Sequence, residues 1–346
     1  MSMVKNIFIN QVHTDSLSCE PLLERTANGE LLCVCQCDGP GEPDPLNRVY
    51  AFHSKDEGKT WSEKDKIYPE DGRAVYCTEL TVDGDEITAY LSLHTGRFLD
   101  WKCTMVKSFD NGYTWKDYGP PPFLTEYGFM RGRLITRSGT YLMPYQKYAL
   151  DDAECERVKK KEKMGAIWFA KIPYCDNCVM ISNDKGKTYE NYLASRTQML
   201  TELHGIIWTE PTLAELSDGT VAMLMRHYGG AIEGGGYLYR CDSKDGGKTW
   251  CPKYKTDIPN PANKPRLFML DRGKIALINT PDHFNRYPLE LWISDDDMKT
   301  WKSKTTLTDF PGTYCYTDGF YENGHLKFVI EHNRHSILYF DVEIEI

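Results

Sequence analysis

An eight-residue pattern, Ser-x-Asp-x-Gly-x-Thr-Trp, recurs along the chain and constrains its fold more than any other feature. Its five copies begin at Ser54, Ser108, Ser182, Ser243 and Ser294. The third copy ends in Tyr189, and the fifth has Met298 in the place of glycine. Ser and Asp side chains accept or donate hydrogen bonds near their own backbone, Gly permits a positive φ, and the final aromatic ring can pack on a sheet. The repeat therefore predicts the same hairpin turn five times over.

The alternative interpretation of this pattern is a calcium loop. An EF-hand loop closes with a glutamate that is missing from these copies, and the residues on either side are typical of strands. We therefore interpret the repeats as structural, and we expect neither a metal site nor a cofactor.

A second turn alternates with the first and is followed each time by an apolar strand. Its glycines are Gly29, Gly84, Gly139, Gly219, Gly273 and Gly324. Successive intervals are 55, 55, 80, 54 and 51 residues, close to the length of a four-stranded antiparallel sheet with its turns. Six such sheets predict an all-β, six-bladed propeller that spans residues 1–346 as one domain.

The ends and the long interval complete this prediction. The last apolar strand, from Ser336, has no sequence after it to pair with, and the segment from Lys5 to Asn10 can supply its neighbour, which would close the ring without exposed edges. The long third interval indicates an insertion at about residues 149–177. Its charge run from Glu154 to Lys163 is typical of a solvated helix or excursion.

Charge, hydropathy and cysteines narrow the setting. The formal charge of −9 disfavours nucleic acid as a partner, and the sequence contains no apolar run long enough to span a membrane and no signal segment. We expect a cytoplasmic protein, or a secreted one if a signal was removed. The twelve cysteines are predicted to be reduced. Cys33, Cys35 and Cys37 share one strand face, and Cys175 and Cys178 fall in an expected loop without a second pair for zinc.

Together the two repeats resemble the sialidase superfamily, whose six-bladed propellers carry these repeats as Asp-boxes. The resemblance covers essentially the whole chain and implies an active site where the inner strands meet. In that family three arginines hold the carboxylate of the substrate, a tyrosine with a glutamate partner is the nucleophile, and an aspartate near the first blade is the acid/base.

Four residues match the family pattern well. The stretch from Thr209 places Glu210 before one strand and Arg226 after the next, as the family does. Arg286, ahead of the fifth repeat, matches a carboxylate-binding arginine, and Tyr316 matches the nucleophile of the last blade. This chemistry is intelligible in itself, because a carboxylate that takes the phenol proton makes tyrosine a nucleophile, and guanidinium groups bind carboxylates bidentately.

The first blade departs from the family. Cys19 stands where the resemblance implies the first carboxylate-binding arginine, and Glu20 follows it. A glutamate there would repel a substrate carboxylate unless a cation intervenes. Arg131 and Arg133, which open the third blade, are candidates for this replacement charge.

The acid/base is left open among Asp38, Asp44 and Glu20. Trp208, beside Glu210, could line a sugar pocket. Other residues expected at strand ends around the axis are Tyr76, His94, Arg97, His227 and Glu331.

Three classes of function follow. The first is a glycoside hydrolase that removes a terminal acidic sugar, sialic acid or another anionic glycan terminus, with Tyr316 and Glu210 at its centre. The second is a polysaccharide lyase or another uronate-directed enzyme, in which a Tyr or His removes the proton next to a carboxylate. The third is a propeller that binds glycans without catalysis. The missing arginine favours the second class over the first, and the Glu–Tyr pair disfavours the third.

Overall fold

The repeats become the blades of a ring. A computed structural model describes residues 3–70, 72–95, 99–124, 128–161, 170–198, 208–227 and 235–346. Within these ranges the strands pair into six antiparallel sheets of four strands, with one added short strand in the third. Five sheets follow the sequence order, and the sixth takes its outer strand from the start of the chain. The predicted all-β, six-bladed propeller is confirmed.

The first three blades use β2 to β14, after an initial strand β1 (Val4–Thr14). Blade 1 contains β2 (Ser18–Arg25), β3 (Leu31–Cys37), β4 (Arg48–Ser54) and β5 (Asp65–Lys66). Blade 2 contains β6 (Ala74–Asp83), β7 (Glu86–His94), β8 (Lys102–Ser108) and β9 (Lys116–Asp117). Blade 3 contains β10 (Gly128–Met130), β11 (Leu134–Ile135), β12 (Tyr141–Tyr148), β13 (Tyr174–Ser182) and β14 (Glu190–Gln198).

The other three blades use the remaining strands. Blade 4 contains β15 (Pro211–Glu215), β16 (Val221–Met225), β17 (Tyr237–Ser243) and β18 (Tyr254–Pro259). Blade 5 contains β19 (Arg266–Met269), β20 (Ile275–Asn279), β21 (Glu290–Ser294) and β22 (Ser303–Thr306). Blade 6 contains β23 (Tyr314–Glu322), β24 (His325–His332) and β25 (Ser336–Ile344).

The predicted closure is confirmed, because β1 pairs antiparallel with β25 and becomes the outer strand of blade 6. The first strand of each blade is innermost, and neighbouring inner strands contact one another around the axis. Apolar clusters fill the spaces between blades; one joins blades 1 and 2, another blades 5 and 6. Since each second strand runs back antiparallel, the turn after it lies on the face where the inner strands begin.

The Asp-box turns connect the third strand of a blade to the outer strand. In the first copy, Asp56 accepts hydrogen bonds from the Thr60 amide (2.9 Å) and hydroxyl (2.7 Å), while Ser54 Oγ accepts the Gly58 amide (2.8 Å). Gly58 has φ +80°, and a Cβ there would lie 2.2 Å from the Tyr339 ring. In the fifth copy Met298 adopts the positive φ, 59°, that glycine takes elsewhere. The predicted structural role of the repeat is therefore confirmed.

These turns predict a specific acid sensitivity. The Thr188, Thr249 and Thr300 hydroxyls and amides hold the pKa of Asp184, Asp245 and Asp296 at about 2, below the ordinary value of 3.8 for an aspartate. The stability from these ionised carboxylates is present above about pH 4 and is lost as the pH falls toward 2. We expect the melting temperature to drop over this interval, and to drop less in Asp184→Asn. Circular dichroism melts at pH 5, 4, 3 and 2 measure this, and an equal drop in both proteins would contradict it.

The insertion contains helix α1 (Asp152–Lys161), which includes most of the charge run. Its Cys155 and Val158 are buried against Trp101 and other residues of blades 2 and 3, so only part of this helix is solvated. Blade strand β13 starts at Tyr174, before the predicted end of the insertion at about 177.

All twelve cysteines are thiols rather than half-cystines. Cys33, Cys35 and Cys37 pack in one apolar cluster between blades 6 and 1, as predicted. The expectation that Cys175 and Cys178 lie in a loop is wrong, because both are buried in β13. The charged segment that precedes them made the start of β13 difficult to recognise in the sequence. Among the described helices, α1 included, none has the length and apolar character required to cross a membrane.

Candidate active site

Five polar side chains occupy corresponding places, at or beside the start of the inner strands of blades 1, 3, 4, 5 and 6. They are Glu20, Arg131, Glu210, Lys264 and Tyr316. The first four are buried, and Tyr316 is partly exposed. Ionisable groups are rarely buried unless they are paired or functional, so their convergence on the axis marks this end of the propeller as a candidate site.

The backbone is distorted where it presents two of these side chains. Glu20 has φ 46° and Tyr316 has φ 53°, in the left-handed region that residues other than glycine seldom adopt. Each follows a cysteine and lies in a register shift of its inner strand, between Cys19 and Leu22 in β2 and between Cys315 and Asp318 in β23. Such bulges redirect side chains and are common beside active sites. Blades 1 and 6 thus use the same backbone distortion to direct Glu20 and Tyr316 toward the axis.

A cavity of about 210 Å³ opens above this ring. Its lining residues are Glu20, Glu42, Tyr76, Phe129, Arg131, Trp208, Arg226, Arg286, Tyr316 and Arg334. The volume lies below the roughly 300–1,000 Å³ of pockets for drug-sized ligands, which favours a small group such as one terminal sugar.

Arg226 connects Glu210 to Tyr316. Its Nη1 donates to both Glu210 oxygens, at 2.9 and 3.0 Å, and contacts the Tyr316 hydroxyl at 3.5 Å. Glu210 is fully buried. These three residues, brought together as the sequence predicts, place a carboxylate and a cation beside one phenol.

The surroundings shift the pKa values of Tyr316 and Glu210 in opposite directions. Burial, and then the negative charge of Glu210, raise the pKa of Tyr316 above its ordinary value. Burial alone would raise the pKa of Glu210, but Arg226 and Arg131 outweigh it and lower that pKa below its ordinary value. At neutral pH the phenol is therefore protonated and the glutamate is ionised, the state required of a nucleophile and its base.

Arg131 lines the cavity and forms an ion pair there with Glu20. Its Nη1 lies 3.1 Å from Glu20 Oε2, and its Nη2 lies 3.9 Å from Glu210 Oε1. This ion pair offsets the charge of Glu20 with a cation from blade 3. Glu331, fully buried, accepts a long hydrogen bond from the Glu20 amide at 3.4 Å.

Aromatic rings form one wall of the cavity. Trp208 lies 6.1 Å from Phe129, measured between ring centroids, and 5.6 Å from Tyr148. This wall belongs to the apolar cluster that includes Tyr76 and the buried face of α1. The insertion therefore supports the side of the cavity on which a sugar ring could stack.

Two predicted residues point elsewhere. Arg133 pairs with Asp83 below the cavity, because the inner strand of blade 3 is interrupted at Gly132 (φ 60°) and separates Arg133 from Arg131. Asp38 is held by Lys64 Nζ at 2.8 Å and by the Tyr50 hydroxyl, and it is not among the cavity-lining residues. The structure thus does not bring Arg133 or Asp38 to the cavity.

The remaining candidates lie around the cavity or outside it. His94 is buried behind Tyr76, with ring centroids 5.0 Å apart, and burial lowers its pKa to about 3. His227 packs on Tyr239, with a pKa of about 4 caused by burial and then Lys253. Asp44 accepts the Leu46 amide at 2.8 Å within its own loop. The position of Arg97 lies outside the described residues.

Sequence reasoning missed three charged residues at this site. Glu42 and Arg334 line the cavity and pair with each other, and Lys264 is buried near Glu210, its pKa lowered to about 8 by burial and then by Arg131. A signal was available for two of them. Arg334 follows the second strand of blade 6 and Glu42 follows that of blade 1, so both lie on the face where inner strands begin.

A larger, open groove of about 1160 Å³ lies between the outer strands of blades 4 and 5. Tyr254, Trp292 and Trp301 line it beside balanced charges, and the predicted site residues are not among its lining. Across the described ranges, no group of three or more His, Cys, Asp or Glu side chains is arranged to hold a metal ion. The axial cavity is therefore the candidate active site.

Comparison with known proteins supports the fold assignment. The family described as BNR repeat-like domain matches residues 77–327. No curated protein matches the sequence. Among solved structures, a protein of unknown function from Dyadobacter fermentans DSM 18053 is similar, with 17% identity, a TM-score of 0.73, and coverage of 99% of this chain and 100% of that one.

Two similar structures carry the name sialidase. For the Hadza microbial sialidase Hz136 the identity is 16%, the TM-score 0.71, and the coverage 96% of this chain and 66% of that one. For Trypanosoma rangeli sialidase the identity is 14%, the TM-score 0.64, and the coverage 96% of this chain and 55% of that one. The chain thus spans less than two thirds of the length of either sialidase, and at these identities the likeness concerns the fold.

Proposed function

We propose that this chain, which belongs to the family of BNR repeat-like domains, is a glycoside hydrolase that removes a terminal anionic sugar from an oligosaccharide or glycan. The observation that carries the proposal is the contact of one guanidinium, that of Arg226, with both the Glu210 carboxylate and the Tyr316 hydroxyl. A purely structural ion pair has no need of a phenol that faces a cavity. Similar structures named sialidases support the same choice.

In the proposed reaction the Tyr316 oxygen attacks the anomeric carbon of the sugar. Glu210 accepts the phenol proton, and the bond to the leaving oxygen breaks as the glycosyl–tyrosine bond forms. The adjacent Arg226 stabilises negative charge on the phenol oxygen in the low-dielectric cavity. Water then attacks the anomeric carbon, the glycosyl–tyrosine bond breaks, and Glu210 returns its proton to the Tyr316 oxygen.

Glu20 is our candidate for the acid/base: in its protonated form it would donate to the leaving oxygen, and the resulting carboxylate, paired with Arg131, would then activate the water. Of the three carboxylates proposed from the sequence, it is the one that lines the cavity. Its bulged position mirrors that of Tyr316 in the adjacent blade. The distorted backbone that presents it supports a functional role rather than a simple loss of the family arginine.

The charges around the cavity favour an anionic substrate. Four arginines line it beside two glutamates, Glu20 and Glu42. Glu331, beneath them, has a pKa raised to about 8 by burial, so it is mostly protonated at neutral pH. The four arginines therefore outnumber the carboxylates of Glu20, Glu42 and Glu210.

Release of a fluorogenic aglycone tests this function. The panel should contain α-sialosides, glycosides of other acidic sugars such as glucuronides, and neutral glycosides of matched size. We expect release from at least one acidic member and none from the neutral set. Appearance of an unsaturated uronate instead, by its ultraviolet absorbance, would replace hydrolysis by elimination, and no product from any member would refute catalysis on these substrates.

A further inference from the structure

The four arginines of the cavity divide into two pairs by their partners. Arg131 and Arg226 are buried and hold carboxylates of the inner strands, Glu20 at 3.1 Å and Glu210 at 2.9 Å. Both carboxylates carry roles in the proposed reaction. Their arginines are therefore engaged before any substrate binds.

Arg286 and Arg334 are engaged differently. Arg286 donates to two uncharged groups, Cys315 Sγ at 2.7 Å and the Ala262 carbonyl at 3.1 Å. Among the residues that the structure describes, no carboxylate lies within 4.0 Å of its guanidinium. Arg334 pairs with Glu42, and 38% of its side chain is exposed. Within the described part of the chain, Arg286 thus has no carboxylate counter-ion, and Arg334 has a partner at the cavity mouth.

Glu331 lies beneath this second pair without neutralising it. Its Oε1 is 4.0 Å from Arg334 Nη1, and burial followed by the charge of Glu20 raises its pKa to about 8, against the opposing effect of Arg286. At pH 7 Glu331 is mainly uncharged. The positive charge of Arg286 and Arg334 is consequently offset, within the described residues, by Glu42.

The Arg334–Glu42 contact joins blade 6 to blade 1. Arg334 lies in the turn between β24 and β25 of blade 6, and Glu42 lies in the loop after β3 of blade 1. Asn47 fixes this loop, because its buried amide donates to the carbonyls of Asp38 at 2.8 Å and Gly41 at 3.0 Å. A part-exposed ion pair contributes little net stability, so a ligand anion that contacts two guanidinium groups can displace Glu42.

We propose that Arg334 joins Arg286, which the family resemblance already implies as a carboxylate-binding residue, in the subsite for the carboxylate of the sugar, and that Glu42 is a resident counter-ion which releases Arg334 when this carboxylate binds. The inference rests on the proposed function and assigns its specificity. Blade 6 then supplies the guanidinium for which blade 1 has Cys19.

Binding affinity tests the subsite independently of turnover. The probes are free sialic acid, free glucuronic acid and the methyl ester of each, titrated calorimetrically at pH 7 and low salt. Arg334→Ala is expected to weaken binding of the preferred acid by about 10-fold or more, as loss of a charged hydrogen bond does, and to leave its ester unchanged. Glu42→Gln is expected to strengthen binding of the acid by roughly 3-fold or more, since it removes the competing carboxylate.

The opposite signs separate a counter-ion from a structural ion pair, whose two variants would change binding in the same direction or not at all. Arg240→Ala, which removes the surface pair with Asp242, is the matched control and should leave both affinities unchanged. Melting temperatures of all variants verify folding. If the wild type binds an acid and Arg334→Ala binds it equally well, the subsite is refuted and the hydrolase proposal stands. If neither wild type nor Glu42→Gln binds either acid, the subsite is also refuted, and the glycoside panel alone decides on hydrolysis.

Discussion

Replacement of Tyr316 by Phe is expected to reduce kcat by about 10³-fold or more while the dissociation constant for the anionic sugar changes by less than about 3-fold. Phenylalanine keeps the ring and its packing but removes the oxygen that would form the glycosyl bond. The Tyr316 side chain is half-buried and its backbone has φ 53°. Phenylalanine has the same backbone and ring, so the substitution adds no new strain at this φ. Steady-state kinetics on the best glycoside of the panel, together with calorimetric binding of the free sugar, measure the two quantities.

Tyr314→Phe is the matched control, since it removes a hydroxyl two residues earlier in β23. That hydroxyl donates to the Phe310 carbonyl at 2.8 Å, and it is absent from the cavity lining. We expect a loss of about 1 kcal/mol in the free energy of unfolding and unchanged turnover. Equal turnover in Tyr316→Phe and wild type would remove the phenol from the mechanism.

The second large effect is expected for Glu210→Gln, which should lower kcat by about 10²- to 10⁴-fold. The amide cannot accept the phenol proton. It also removes the negative charge that raises the Tyr316 pKa, so that pKa should fall. Because Arg226 loses its ionised partner, the free energy of unfolding should decrease by up to about 3 kcal/mol. Pre-steady-state kinetics and chemical unfolding measure these changes.

The same carboxylate predicts the acid limit of activity. The folded pKa of Glu210 lies below its ordinary value, so the base is available above that value and is lost as the pH falls through the lowered pKa. Glu215→Gln, at the far end of the strand that follows Glu210 and paired with the exposed Arg137, is the control and should retain the wild-type rate. A Glu210→Gln enzyme with wild-type kcat would show that another group takes the proton.

The ring could be predicted from sequence because its determinants are local and repeated. Each Asp-box closes its own turn through local contacts such as those of Asp56 with Thr60. The turn can therefore be recognised in the sequence without knowledge of the tertiary fold. Glu210, Arg226 and Tyr316 were placed by the family resemblance, and the pairing of β15 with β16 explains why Glu210 and Arg226 meet. Pairing of β1 with β25 followed from the same alternation.

The remaining site residues depend on contacts between blades, which periodicity does not encode. Glu42 meets Arg334 only after blade 6 closes on blade 1. Asp38 was a plausible acid in the sequence because it follows the second strand of blade 1. In the structure it instead forms an ion pair with Lys64, which lies near the outer strand of the same blade. Arg133 differs from Arg131 because a glycine interrupts their strand, and two-residue spacing then no longer implies a common direction.

Identification of a covalent intermediate tests the central claim most directly. The protein would be incubated with a fluorinated glycosyl fluoride of the preferred acidic sugar, digested, and analysed by mass spectrometry. We predict one glycosyl adduct on the peptide that contains Tyr316, with fragment ions that localise it to that residue, a similar adduct in Tyr314→Phe, and none in Tyr316→Phe. An adduct on another residue, or efficient release of the acidic sugar by Tyr316→Phe, would contradict the assignment of Tyr316 as the nucleophile.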